Sequence, residues 1–374
     1  MNYKHDYLTH IDEATVLGGP WPGIQLYYPP VKYSPAQGVY ETMEQAAERM
    51  RRHAHKTPAN TLLFDLEDGC RQKEMSRALL RQELPKFDPN RKFQIALRIN
   101  PFRTPEYEKD LELIRDCAEF IDVIILAKAG EVYGAAEIRD LSAWLVGVNS
   151  QITIQPIFEH PRSLKLAADI MQYDTVKHVV FGIHDFSKAM AIHLTPENWI
   201  HELRTYLHLL LMEARIAGKG VIGGVEVLIN KNAMPTDYIE PEDVRRWLDL
   251  HGDRESKIVH AHAVEEAQMG LTGKQVIHPN HIHLCKVAFT PSPKAIARNV
   301  AILKAAIDAD ALLGGAIRFE GEMLDPPMFG KALQTLLRAN ALNALAPEDK
   351  AFALDVLKRL PVQVIRENWP YGRV

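Results

Sequence analysis

Polar residues in this chain collect just beyond a series of short apolar runs. Asp65, Glu67 and Asp68 close one run, Arg98 and Asn100 the next, and Lys128 a third. Glu159, Asp185 and His278 follow later runs, and Glu226 lies near the end of another. Glu159 and Asp185 are hard oxygen donors of the kind Mg2+ takes, one or two at a time, with waters and substrate oxygens completing its shell. Mn2+ would accept the same donors. Asp65, Glu67 and Asp68 could stand around such an ion as outer partners. Arg98 adds a permanent cation with a planar fork, suited to a carboxylate or a developing enolate. A divalent ion beside an arginine describes a site for a 2-oxo acid, where an enolate must be stabilised. Each residue alone reads more readily as a turn former or a helix cap, so everything depends on whether the fold gathers them.

Eight strand candidates carry these residues: 24–28, 61–65, 93–99, 123–127, 152–158, 178–181, 221–227 and 275–277. Between them lie segments with apolar residues three and four apart, such as Ile138, Leu141 and Leu145. The longest helix is expected over 196–217, and Thr104-Pro105, Thr195-Pro196 and Ser292-Pro293 each read as a hydroxyl cap before a first-turn proline. Eight strand-then-helix units over about 280 residues predict an α/β fold, a (β/α)8 barrel, with a doubly wound open sheet as the alternative. In a barrel the strand ends meet in one ring, at the face where barrel enzymes keep their active sites. Residues 1–290 are expected to form the catalytic barrel and 291–374 a C-terminal helical extension, with 228–252 inserted after the seventh strand.

The 374 residues are 47% hydrophobic and 25% charged, with a formal net charge of −4, which excludes a disordered, collagen-like or coiled-coil chain. No overall basic field exists to hold nucleic acid or an anionic membrane, and neither partner is expected. The basic run Arg49 to Lys56 reads as the solvated face of a helix. Cys70, Cys117 and Cys285 are too few and too scattered for a disulfide framework. With no apolar signal stretch at the start and no run near the ~20 residues that span a bilayer, a cytoplasmic protein is expected. Gly218-Lys219-Gly220-Val221-Ile222-Gly223 spells a dinucleotide fingerprint, but it enters a strand from a helix, the reverse of the required context. Gly218 reads instead as a helix terminator. Gly270 to Gln275 lacks the spacing of a phosphate loop. His260, His262, His278, His281 and His283 lack the spacing of a zinc site, so surface or core roles are expected for them.

Six segments together resemble the HpcH/HpaI aldolase and citrate lyase beta-subunit-like superfamily. They are Phe64-Asp65-Leu66-Glu67-Asp68-Gly69, Leu97-Arg98-Ile99-Asn100, Leu126-Ala127-Lys128, Pro156-Ile157-Phe158-Glu159, Phe181-Gly182-Ile183-His184-Asp185 and the stretch from Gly270 to Pro279. Gly321-Glu322-Met323-Leu324-Asp325-Pro326-Pro327 resembles the start of its C-terminal lid. The resemblance implies a barrel that binds Mg2+ and makes or breaks a carbon–carbon bond in a β-hydroxy acid or its acyl thioester, with an oxo-acid or enolate fragment. It implies Glu159 and Asp185 as metal ligands, Arg98 on the oxo-acid carboxylate or enolate oxygen, and Glu67 and Asp68 on metal-bound waters. It also implies that Asp325 serves a neighbouring protomer's site as an acid or base, hence a homo-oligomer, a trimer or hexamer. Asn100, Lys128 and Lys32 join Arg98 as candidate substrate-binding residues. The family's Pro-Gly-x-Arg-Pro turn, which helps shape the thioester site, is replaced here by Pro29-Pro30-Val31-Lys32-Tyr33, so use of coenzyme A stays open. So do phosphoryl transfer on an enolpyruvate in the same kind of site and a non-catalytic ligand-binding or scaffold role.

Overall fold

A computed structural model describes residues 22–36, 38–54 and 56–368. Eight strands run β1 Gly23–Tyr28, β2 Thr61–Asp65, β3 Gln94–Ile99, β4 Val123–Leu126, β5 Thr153–Phe158, β6 His178–Phe181, β7 Gly220–Gly223 and β8 Gly273–Val276. Each pairs in parallel with its sequence neighbours, and β8 pairs with β1 through Gly23↔Gly273 to Leu26↔Val276, so the sheet closes. The expected barrel is the fold, and the open sheet is excluded. Parallel strands covered on both faces need continuous apolar runs, which is why Leu62, Leu63, Phe64, Val123, Ile124 and Ile125 are all buried. Inward-facing Leu63, Ala96, Ile125, Ile157, Val180 and Ile222 fill the interior.

One strand ends well before its sequence suggests, and one helix starts later. β7 stops at Gly223 instead of running to Val227, which leaves Glu226 in the following loop. The long helix starts at Trp199, with Asn198 at its cap position, so Thr195-Pro196 opens no helix. Thr104 and Ser292 do cap, accepting from the backbone N–H groups of Tyr107 (3.2 Å) and Ala295 (3.3 Å). Gly218 ends the long helix in the left-handed region, at φ +66°. The basic run is only partly a solvated face. Arg49 is buried, bonded to Glu41 (2.8 Å) and to the carbonyls of Pro29 (3.1 Å) and Pro30 (2.7 Å).

The described chain separates into two compact units. The barrel unit is made of Pro22–Ala233 and Asp253–Cys285. The second unit joins Met234–Gly252 to the chain from Lys286 onward, with helices at Pro241–Leu250, Pro293–Asp308, Pro326–Ala341, Pro347–Lys358 and Val362–Asn368. Its core is built on Leu303, Leu336, Val356 and Leu357. No helix among the described residues is long and apolar enough to cross a membrane.

Candidate active site

The C-terminal ends of β2 to β6 bring Asp65, Glu67, Asp68, Arg98, Lys128, Glu159 and Asp185 together. Asp65 grips Arg98 side-on, accepting from Nε (2.7 Å) and Nη2 (2.8 Å), a bidentate pairing that fixes the guanidinium plane. Glu67 lies 3.3 Å from Nη1 of the same arginine. The Tyr27 ring lies beneath, with its centroid 5.1 Å from the guanidinium carbon. A Cβ on Gly69 would fall 2.4 Å from an Asp65 oxygen, so only glycine lets the chain turn this closely around the pair.

Lys128 leaves β4 in the left-handed region, φ +52°, which costs a non-glycine residue of order 1–3 kcal/mol. Its ammonium reaches Glu67 (2.6 Å) and Asp68 (2.9 Å), two ion pairs that hold it there. Burial works against its charge, but Glu67 and Asp68 keep its proton bound above the ordinary lysine range.

Glu159 and Asp185 make no ion pair among the described residues, and of the two Glu159 is buried. Burial pushes its carboxyl up to about 8; the Arg98 and Lys128 charges oppose the rise, and those of Asp185 and Glu67 add to it. Space for it is made by Gly182, where a Cβ would come within 2.5 Å of the Glu159 Cγ. Asp185 sits exposed in the first turn of Ile183–Ala189. Two carboxylates facing one mouth, neither of them in an ion pair among the described residues, form a donor set that Mg2+ would complete with waters and substrate oxygens. Glu131, in the loop after Lys128, adds a further carboxylate near Asp185 and His160, raised by burial; its position in an irregular loop gave the sequence no signal for it.

Other candidates are placed elsewhere. Asn100 is buried behind the β2 turn, donating to the Leu66 carbonyl (2.9 Å) and to Asp110 (2.7 Å) and accepting from Lys73 (2.9 Å). Glu226 is turned away into a sealed cluster with Lys274 (3.0 Å), His262 (3.2 Å) and Trp199. Lys32 follows β1 with its ammonium 5.9 Å from the Tyr28 ring centroid and, among the described residues, no ion pair. Burial and the Arg49 charge lower its pKa. His278, after β8, is close enough for the Lys32 charge to lower its own pKa beyond the effect of burial. Asp325 occupies the cap position of Pro326–Ala341, but its side chain makes no capping bond and is exposed.

Residues 43–234 match the HpcH/HpaI aldolase/citrate lyase family, just over half of the chain. The chain belongs to the HpcH/HpaI aldolase/citrate lyase family. It is similar to a (3S)-malyl-CoA thioesterase of Cereibacter sphaeroides, 25% identical over 301 residues, covering 79% of this chain and 92% of that one. An L-malyl-CoA/beta-methylmalyl-CoA lyase of Rhodobacter capsulatus is 26% identical over 294 residues, covering 77% and 86%. The fold is that of the Mycobacterium tuberculosis protein CitE, solved in complex with magnesium, acetoacetate and coenzyme A, at a TM-score of 0.58 and 22% identity over 86% of this chain and 98% of that one. Family membership places the chain among carbon–carbon lyases, and all six barrel segments that signalled the family lie on the strands and loops just described.

Proposed function

We propose that the protein is a Mg2+-dependent carbon–carbon lyase that cleaves a β-hydroxy acid, or its thioester, into a 2-oxo acid and an enolate fragment. The observation that carries this reading is the buried Glu159 carboxyl without an ion pair, beside Asp185 and close to a fully oriented arginine. Glu159 and Asp185 would hold the ion, which when bound supplies positive charge for the hydroxyl, oxo and carboxylate oxygens of the substrate. Glu67 and Asp68 would steady waters around it.

Arg98 spends its side edge on Asp65, faces Glu67 with Nη1, and would turn its remaining Nη1 and Nη2 protons to an oxyanion. Because Asp65 and Tyr27 fix its plane before substrate arrives, little reorganisation is needed as charge develops. In the cleavage direction a base takes the hydroxyl proton and the hydroxyl carbon becomes the carbonyl of the oxo acid. The pair of the breaking carbon–carbon bond moves through the second fragment onto its carbonyl oxygen, giving the enolate. An acid then returns a proton to the enolate carbon. Asp325 of a neighbouring protomer is proposed for acid–base duty, since its carboxylate is exposed and leaves its own helix uncapped; a homo-oligomer follows from that role. Lys128 would approach the substrate over the Glu67–Asp68 pair, and Lys32, which has no ion pair among the described residues, would meet an anionic end of the substrate. Asn100, with both amide protons engaged, is assigned to holding the β2 turn in place of the substrate contact its position suggested.

The test is turnover of a panel of β-hydroxy acids and their coenzyme A thioesters, read as released 2-oxo acid trapped by phenylhydrazine. Release that requires Mg2+ and stops with a chelator supports the reading. No release from any member, in a protein shown to be folded, contradicts it.

A further inference from the structure

We infer that Lys73 is a positioning residue that aims Glu67 into the mouth of the barrel, an inference that rests on the lyase reading for its effect on ligand binding. Lys73 opens the helix Lys73–Glu83, outside the ring of strand ends. Its ammonium has three protons and three acceptors: the Leu66 carbonyl (2.6 Å), the Glu67 carbonyl (2.7 Å) and the Asn100 side-chain oxygen (2.9 Å). Successive carbonyls of a strand point in opposite directions. Two successive carbonyls directed at one ammonium therefore mark the place where the chain is bent away from the β2 direction.

The bend has a front and a back. In front, one Glu67 oxygen accepts from Lys128 (2.6 Å), and the other accepts from the Asp68 backbone N–H (2.7 Å) and faces Arg98 (3.3 Å). Behind, Leu66 O also accepts from Asn100 (2.9 Å), whose backbone N–H donates to Asp110 (2.9 Å), which in turn pairs with the fully buried Arg77 (2.8 Å). Lys73 is the link that joins this buried relay to the backbone of Glu67 itself. Without its ammonium, the carbonyls of Leu66 and Glu67 lose a charged donor in a place with little access to water, and the turn must relax to find others. The Glu67 carboxylate, and through it Lys128 and the free edge of Arg98, would then lose its place.

The experiment is a crystal structure of Lys73→Met together with calorimetric titration of the same variant by MgCl2 and then by glyoxylate, pyruvate and oxaloacetate. The inference expects Glu67 to leave Lys128, affinity for the tightest 2-oxo acid to fall about tenfold or more, and Mg2+ affinity to weaken with it, since Glu67 would steady waters around the ion. Lys73→Arg, which keeps the charge and at least two donors, should recover part of the affinity; it also stands in should Lys73→Met fail to fold. Glu67 unmoved beside Lys128, or a lowered melting temperature with oxo-acid affinity intact, overturns the inference. Should the wild type bind none of the three acids, the lyase reading fails, and the position of Glu67 in the variant crystal still decides the role of Lys73.

Discussion

Two ionic networks in the barrel unit use the same residue types to opposite ends. Between β7, β8 and the helices Trp199–Ile216 and Arg254–Met269, Lys274 is fully buried against Glu266 (2.7 Å) and Glu226 (3.0 Å), with His262 and Trp199 on Glu226. Here one cation serves two carboxylates: Lys274 holds the Glu226 carboxyl down to about 2 against the effect of burial, while burial pushes Glu266 up to about 7 in spite of its own contact with Lys274, and the fold has sealed the group from water. At the mouth, two cations face five carboxylates, and buried Glu159 and exposed Asp185 have no ion pair among the described residues. A buried carboxylate that meets a lysine serves the fold, whereas a buried carboxylate with no ion pair at a barrel mouth is a candidate cation ligand.

The sharpest way to break the comparison is to unpair the sealed cluster. Lys274→Met leaves two buried glutamates without their cation, and should destabilise the protein by about 3–5 kcal/mol, read by chemical denaturation, with Mg2+ affinity of the folded protein unchanged. A loss of Mg2+ affinity without a loss of stability would assign the cluster to the site instead.

Arg98→Lys should have the next largest effect. A lysine keeps the charge but cannot grip Asp65 side-on and still offer two parallel donors, so 2-oxo-acid affinity should fall by about 10- to 100-fold, equivalent to the roughly 1.5–3 kcal/mol of a charged hydrogen bond. Titration with pyruvate or oxaloacetate at saturating Mg2+ reads it, and a change in melting temperature alone would mark Arg98 as structural.

Glu159 offers a measurement by pH. Its carboxyl, raised to about 8, must lose its proton to bind an ion, so apparent Mg2+ affinity should climb as pH rises toward 8 and level off above it. Stability of the metal-free protein should move the other way. The folded state holds the proton more tightly than the unfolded chain, whose carboxyl titrates near the ordinary 4.5, so this group's contribution is full below about 4.5 and is lost as pH rises through 8. Glu159→Gln should flatten both profiles and weaken Mg2+ by about tenfold or more. Profiles unchanged in that variant would remove Glu159 from the metal site.

The smallest effect concerns coenzyme A. The turn after β1 is stiffened by Pro29 and Pro30, whose carbonyls are tied to Arg49, and it lacks the family's glycine and arginine. Free coenzyme A is expected to bind weakly in equilibrium titration, and tight binding would show that Lys32 and its surroundings replace the missing turn.

The barrel was legible in the sequence because parallel strands buried on both faces must be continuous apolar runs, and those runs mark 61–65 and 178–181 to the residue. The fate of the polar residues after them was not. Glu226 and Glu159 look alike as acidic residues near strand ends, and only the early end of β7 sends one into the sealed cluster. Asn100 likewise faces away from the mouth because Asp110 and Lys73 claim its amide. Lys73 itself gave no signal, since a lysine in the first turn of a helix is ordinary and its meaning lies in two carbonyls bent toward it.

The most direct test is a crystal of the wild type soaked with MgCl2 and a 2-oxo acid such as pyruvate or oxaloacetate. A metal ion held by Glu159 and Asp185, with the oxo acid against it and an oxygen on the free edge of Arg98, is the result expected. An oxo acid bound away from these residues, or a mouth that takes up neither ion nor acid while Glu159 stays without a partner, would contradict it.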